Sequence, residues 1–421
     1  MIKKSSLTAP VPDATEYGNT LFATSVKVLI DSQFESGGTG ASLKGTRYAG
    51  HCYPRDHGYA TRAFIAAGLK EFAEKALSYI LTCELSDNNI MYQRYNLSKK
   101  SASYKPPQID GNAQTILAAT RYLDTENIPE IVMKYSSQLN KLTKGILKQT
   151  HNFTNGSLVE GINGIIEFPP FEQGFDLYTN AVSYRALKNI SQHPEILGDA
   201  LAKNAEDTAQ NIQKGIMSYL RFKEKDTFFT GIRREPSVSE IKIPFPKNYL
   251  ALSDFEVFED SQGKEMVKRG LTYHLEGTKN EELGGFNRYH ELMGRHNFGN
   301  GPWPMMMLRL AQHYIQSNEH SKAKECFNWV MNVAKNNKDK PGQLPEHVST
   351  KEAFTSARDT FTRLDETAPR PAKGQEYTLI NNSKTMQEDG IAYAVNPLVW
   401  SHSQFILAWT DYTADTPVHN Y

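Results

Sequence analysis

Apolar residues recur along this chain with the period of an α-helix, in long segments separated by equally long irregular ones. After Pro302, the residues Trp303, Met306, Met307, Leu310, Ala311 and Tyr314 fall three or four positions apart, which places them on one buried helix face. The same test predicts helices over Thr15 to Gln33, Arg55 to Ala67, Lys70 to Cys83, Gly111 to Leu123, Ile128 to Gln149 and Leu177 to Ser191. It predicts more over Leu197 to Leu220, Tyr249 to Phe255, Ser261 to His274, Pro302 to Ile315, His320 to Asn336 and Leu398 to Tyr412. About a dozen helices with alternating short and long connections can close into six pairs, an all-α (α/α)6 barrel. An α-solenoid is the competing architecture, but it demands a consensus recurring every ~34–47 residues, and none recurs here.

The connections Leu85 to Asp110, Asn152 to Asp176, Glu276 to Gly301 and Lys338 to Asn396 exceed the ~15 residues at which a loop in a compact domain is usually functional. They carry aromatic and acidic residues, and in a toroid they gather at one mouth and form a pocket. Thr227-Phe228-Phe229, with Val238, Ile241 and Ile243, predicts a small β-hairpin insertion within Lys225 to Pro246. No shift in composition or polar linker marks a boundary, so residues 1–421 read as a single domain.

Lys+Arg 47 against Asp+Glu 47 leaves no global field to draw in nucleic acid or an anionic membrane, and no local basic patch supplies one. Neutrality with 11% aromatic residues fits a pocket for an uncharged ligand. Cys52, Cys83 and Cys326 form neither a CxxC pair nor a disulfide framework and read as buried free thiols. Met1-Ile2-Lys3-Lys4 starts like a leader, but Pro10, Pro12, Asp13 and Glu16 interrupt the roughly 7–15 apolar residues that a secretory segment needs. A cytoplasmic chain is expected, or a periplasmic or secreted one if a leader was removed. His290 and His296 lack metal-ligand spacing, and GxGxxG, GxxxxGK[ST] and GxSxG patterns are absent, so no metal and no cofactor are expected.

Four loop segments deliver chemistry. Tyr53-Pro54-Arg55-Asp56 brings a donor fork and an acceptor to a helix start, as sugar hydroxyls require, although Asp56 could merely cap the helix. Pro107-Gln108-Ile109-Asp110-Gly111 delivers a second acid to a helix N-terminus, where capping is equally open. Phe168-Pro169-Pro170-Phe171-Glu172-Gln173 sets a glutamate among aromatic rings, with Glu167 beside it; desolvation there favours the protonated form suited to a general acid. Leu344-Pro345-Glu346-His347 supplies a second glutamate, and two such acids over one pocket can flank a glycosidic bond. Asn287-Arg288-Tyr289, Gly299 to Trp303 and Trp400-Ser401-His402 are weaker carriers of the same kind.

In order along the chain these segments resemble the glucoamylases, glycoside hydrolase family 15. The resemblance rests on Arg55-Asp56, Asp110-Gly111, Thr179-Asn180-Ala181-Val182 with Arg185-Ala186-Leu187, Arg288-Tyr289, Gly299 to Trp303, Leu344 to His347, and Pro397-Leu398-Val399-Trp400-Ser401. It implies an (α/α)6 barrel and an exo-acting, inverting α-glucoside hydrolase, with Glu172 as acid and Glu346 as base. Arg55 and Asp56 would hold the non-reducing-end sugar, and Tyr53, Asp110, Phe171, Arg288, Trp303 and Trp400 complete the expected binding set. The chain departs from the family in having Phe171-Glu172-Gln173 for Trp-Glu-Glu and His347 for the Gln beside the base. A neutral oligosaccharide, maltodextrin or isomaltose-type, is the implied partner. Rival readings are a sugar epimerase or unsaturated uronide hydrolase on the same fold, or a catalytically silent carbohydrate-binding homologue.

Overall fold

The computed structural model describes residues 7–43, 48–125, 130–161, 174–229, 231–235, 238–243, 249–288, 301–338, 340–350 and 391–414. Its helices, in chain order, are α1 (Ala14–Ser32), α2 (Pro54–Ala66), α3 (Lys70–Ile80), α4 (Ile109–Thr125), α5 (Glu130–Lys134), α6 (Ser136–Lys148) and α7 (Leu177–Ile190). They continue with α8 (Pro194–Leu197), α9 (Asp199–Gly215), α10 (Ala251–Asp254), α11 (Ser261–Thr278), α12 (Pro304–Gln316), α13 (His320–Asn336) and α14 (Val399–Thr413). The described residues divide into two compact units, one within Met1–Ser32, Ser42–Ala49 and Leu275–Val418, the other within Gln33–Ala41, Gly50–His274 and His419–Tyr421.

In the second unit α2, α4 and α7 pack side by side, and α3, α6 and α9 lie against them in turn. Burial separates the two kinds. Every residue of α7 except Lys188 and Asn189 is buried, whereas α9 buries only a stripe of Ala202, Ala205, Ala209, Ile212 and Gly215. A helix buried all round must be nearly free of charge or pair every charge it holds, while a helix with one buried stripe can solvate the rest. In the first unit the buried helices are α12 and α14, packed on each other, with α13 and α1 against them. Gly18 of α1 admits the Trp409 ring of α14; a Cβ there would sit 2.2 Å from it. Phe327 of α13 meets the same ring edge-on at 5.2 Å.

The helix expectations hold closely, although α8 is not among them and two expected segments divide or end early. The segment Ile128 to Gln149 breaks at Tyr135 into α5 and α6. The segment predicted as far as Leu220 ends as an α-helix at Gly215 and runs on as a π-helical turn, Ile216–Leu220. The loops carry more β-structure than the single insertion anticipated. Strands β1 (His51–Cys52), β2 (Tyr92–Asn96) and β3 (Ala102–Pro107) form one antiparallel sheet. β4 (Thr150–Phe153) and β5 (Gly156–Val159) make a hairpin. β6 (Phe175–Asp176) joins a later hairpin, β9 (Gly231–Glu235) with β10 (Val238–Ile243), which follows a small pair, β7 (Arg221–Phe222) with β8 (Thr227–Phe228). β11 (His347–Thr350) pairs with β12 (Ile391–Ala394). Strands of two to six residues give too short an alternation to read from sequence. Cys52, Cys83 and Cys326 are buried free thiols. Among the described residues no helix is long and apolar enough to cross a membrane.

Candidate active site

In the second unit the site residues stand at the N-termini of α2, α4 and α7. Pro54 starts α2 because the first helical position has no use for an N–H, and Tyr53 precedes it in extended conformation as N-cap. Two glycines let α4 close on α2: a Cβ on Gly111 would lie 3.0 Å from Pro54 Cβ, and one on Gly58 only 2.9 Å from the Cβ and carbonyl oxygen of Gln114. That approach brings Arg55 to Asp110, whose Oδ2 accepts from Arg55 Nε at 2.6 Å, with the two side chains 7% and 0% exposed. A charge-assisted bond of this kind, shielded from water, is among the stronger polar contacts in proteins. Further along, Arg62 Nη2 donates to Gln114 Oε1 at 2.6 Å and Gln114 Nε2 to Tyr178 Oη at 3.0 Å, tying α2, α4 and α7 together.

Two asparagines in first helical turns clamp the adjoining connections. Asn112 accepts from Met91 N–H and donates to the carbonyls of Asn89 and Leu142. Asn180 accepts from Val159 N–H and donates to the Val159 carbonyl. Asp176 caps α7 by accepting from Thr179 N–H at 2.8 Å. Burial pushes its carboxyl above the usual carboxylate range and Asp110 adds to this, while hydrogen bonds from Thr179 and the charge of Arg55 oppose it. Burial works against the charge on Arg55, but Asp110 beside it holds the guanidinium pKa above its ordinary value. Arg55 Nη2 and Asp110 Oδ1 are buried and have no hydrogen-bond partner among the described residues. Asp56 is buried at the third position of α2, in its first turn, while Tyr53 is the N-cap. The Arg94 guanidinium lies 5.8 Å from the Tyr53 ring centre.

In the first unit the fixed point is Glu346. Its N–H donates to the Ala394 carbonyl at 2.9 Å, one residue before β11 begins. The two residues ahead of it are bound to the start of α14: Leu344 O accepts from Leu398 N–H, Leu344 N–H donates to His402 Nε2 at 2.9 Å, and Pro345 O accepts from Ser401 Oγ at 2.8 Å. Because Nε2 of His402 accepts, its proton sits on Nδ1, which donates to Ser25 Oγ of α1 at 2.9 Å. Burial holds the His402 pKa down to about 3, so the ring is neutral and keeps that tautomer. The half-buried Glu346 carboxylate then accepts from Tyr48 Oη at 3.2 Å. Next to it, His347 stacks on Trp303 with ring centres 5.6 Å apart, and the Arg288 guanidinium lies 4.6 Å from the Trp303 ring centre. His347 therefore occupies the position of the expected Gln as a stacked ring. Trp400 is buried in the first turn of α14.

Of the sequence-predicted residues, Tyr53, Arg55, Asp56 and Asp110 fall in one unit, with Arg55 and Asp110 in direct contact. Arg288, Trp303, Glu346 and Trp400 fall in the other, where Arg288 and Trp303 pack together. Phe171, Glu172 and the reserve acid Glu167 lie outside the described residues. Sequence reasoning gave no role to Tyr48, Ser25, Asp176 and Tyr178, and named His402 only as part of a weak segment. The signal for it is a histidine beside Trp400 at the start of a mostly apolar helix, which needs a buried partner. Among the described residues no group of three or more His, Cys, Asp or Glu could hold a metal ion.

No family model matches the chain, and no curated protein matches it in sequence. Solved structures do match in fold. A bacterial glucoamylase complexed with acarbose is 17% identical with a TM-score of 0.67, over 97% of this chain and 58% of that one. A glycosidase variant in complex with glucose is 12% identical with a TM-score of 0.67, covering 94% of this chain and 98% of its own. The glucoamylase from Saccharomycopsis fibuligera is 12% identical with a TM-score of 0.59, over 97% and 95%. The chain spans 58% of the length of the bacterial glucoamylase. At these identities the likeness shows the fold, which is the helix-rich (α/α)6 class of the glucoamylases and related glycosidases, with small sheets in its connections.

Proposed function

We propose that this chain is a glycoside hydrolase that acts from the non-reducing end of α-linked glucose oligomers, maltodextrin or isomalto-oligosaccharides, and releases β-D-glucose with inversion. The observation that carries this reading is Glu346, a half-buried carboxylate bonded to Tyr48 and set on backbone fixed by Ala394, Leu398, Ser401 and His402. A general base must be held to within a fraction of an ångström of its water, and such pinning is what that demands. Glu346 takes a proton from the water as its oxygen bonds the anomeric carbon. The bond from that carbon to the glycosidic oxygen breaks, and Glu172 gives its proton to the leaving oxygen. Sugar binding is assigned to Arg55, Asp56 and Tyr53 at the start of α2, with Arg55 held by Asp110.

Incubation with maltose, isomaltose, trehalose and maltoheptaose tests the reading. Glucose release is expected from at least one of them, with kcat about 10²–10⁴-fold lower in Glu346→Gln. No turnover of any, or a fully active Glu346→Gln, overturns it. A fully active Glu172→Gln moves the acid to Glu167.

A further inference from the structure

The second unit contains a groove that none of the proposed active-site residues lines. It has a volume of about 910 Å³ and lies between the β4–β5 hairpin, the end of α9 with its π-helical turn, and the first turns of α11. Ligand pockets commonly measure roughly 300–1,000 Å³, so the space suits a ligand rather than a few waters.

The groove is built, and two glycines, Gly156 of its lining and Gly215 behind it, set its wall. Gly156, at φ +129°, sits where a Cβ would come 2.3 Å from Gly215 N, and a Cβ on Gly215 would come 2.0 Å from the Ser157 carbonyl oxygen. The hairpin therefore lies directly on the helix end. Two bonds across this contact fix the turn: Ser218 Oγ donates to Asn155 O at 3.0 Å, and Asn155 N–H donates to Tyr219 Oη at 3.0 Å. Both partners belong to the π-helical turn, a feature often found at functional sites. On the opposite wall Gln213 Nε2 donates to the Val257 carbonyl at 2.5 Å, and Gly263 gives room to Phe258.

The lining chemistry defines the ligand class. Asn152, Asn155, Asn211 and Gln262 present side-chain amides, each able to donate and accept, and Phe153 and Phe258 supply aromatic surface. The cations are answered. Arg221 Nη2 and Arg269 Nη2 bind Asp226 at 3.0 and 2.8 Å, Glu265 lies 3.6 Å from Arg269, and Asp260 stands in the same lining as Lys214. Both arginines are thus ion-paired with carboxylates outside the lining, and the charges that remain in it are one lysine and one aspartate, so no cluster of cations is left for a phosphate or uronate. Amides beside aromatic faces with balanced charge are what neutral sugar hydroxyls and their apolar ring faces need.

We infer that this groove is a second oligosaccharide-binding site, distinct from the one that holds Arg55 and Asp110, which takes a neutral glucan chain without cleaving it. The neutral-sugar class agrees with the proposed function, but the groove's claim rests on its own lining and stands if hydrolysis fails.

Affinity electrophoresis of the full chain in gels containing soluble amylodextrin tests this. The wild-type chain and Glu346→Gln are both expected to be retarded. Asn211→Ala/Gln262→Ala should weaken retardation roughly tenfold, as expected for two lost hydrogen bonds, while turnover of maltose changes less than about twofold. Ser218→Trp, which fills the groove without removing an amide, should give the same loss of retardation. If neither variant differs from wild type, or if wild type is not retarded, the site is not a glucan site. Displacement of amylodextrin by inorganic phosphate would likewise overturn it, because the groove would then be anion-selective. Retardation without any hydrolysis would sustain the groove and sink the proposed activity.

Discussion

Tyr48 Oη donates to Glu346 Oε1 across 3.2 Å, although 298 positions separate the two residues in the chain. A hydrogen bond to an ionised group contributes about 1.5–3 kcal/mol, so its removal should be visible in catalysis more than in folding. Tyr48→Phe is expected to lower kcat by roughly 10–100-fold with KM little changed, measured on the best substrate of the panel. A kcat within about twofold of wild type would mean that Tyr48 does not position the carboxylate.

The buried Arg55–Asp110 pair has a different signature. Asp110→Asn leaves a buried guanidinium without its counter-charge, and breaking such pairs costs about 3–5 kcal/mol. Urea unfolding should show a loss of this order, and a loss below about 1 kcal/mol would show that water reaches the pair.

Gly58 sets the spacing of α2 and α4. Gly58→Ala would press a methyl group to 2.9 Å from Gln114 and is expected to destabilise by about 1–3 kcal/mol. Ala at the solvent-facing Gly68 is a useful contrast: no neighbour lies within 4 Å there, but the backbone, at φ +72°, still disfavours it. Equal stability of Gly58→Ala and wild type would refute the close approach.

Two neutral histidines tie stability to pH. Burial lowers the His57 pKa to about 4, against the pull of its bond to the Ala76 carbonyl, and lowers that of His402 to about 3. In the unfolded chain both titrate near 6.5, so the unfolded state takes up protons first as pH falls. Their contribution is complete above about pH 6.5 and is lost as pH falls from there toward 4 and 3, at up to about 1.4 kcal/mol per pH unit for each proton. His402→Gln should flatten the decline in unfolding free energy between pH 7 and 5 relative to wild type. Parallel slopes would show that His402 is not held neutral.

The sequence carries the helices because their signal is local. Trp303, Met306, Met307 and Leu310 announce α12 within a dozen residues, and the buried or amphipathic character of α7 and α9 follows from the spacing of their own side chains. Arg55, Asp110 and Glu346 are legible as single residues at helix starts and in loops. Their partners are not. Asp110 reaches Arg55 because Gly58 and Gly111 lack side chains, and Glu346 reaches Tyr48 because His402 and Ser401 pin Leu344 and Pro345. Such contacts depend on three-dimensional packing, which no periodicity encodes. The short strands of the loops escape for the same reason: β1, β6, β7 and β8 have two residues each.

Inversion at an α-linked glucose is read from the anomer of the first product. Maltoheptaose, or isomaltose if that is the better substrate, is to be incubated with the chain inside an NMR spectrometer and the anomeric protons followed before mutarotation. β-D-Glucose is expected to appear first, and Glu346→Gln to abolish its appearance. Initial release of α-D-glucose would contradict inversion.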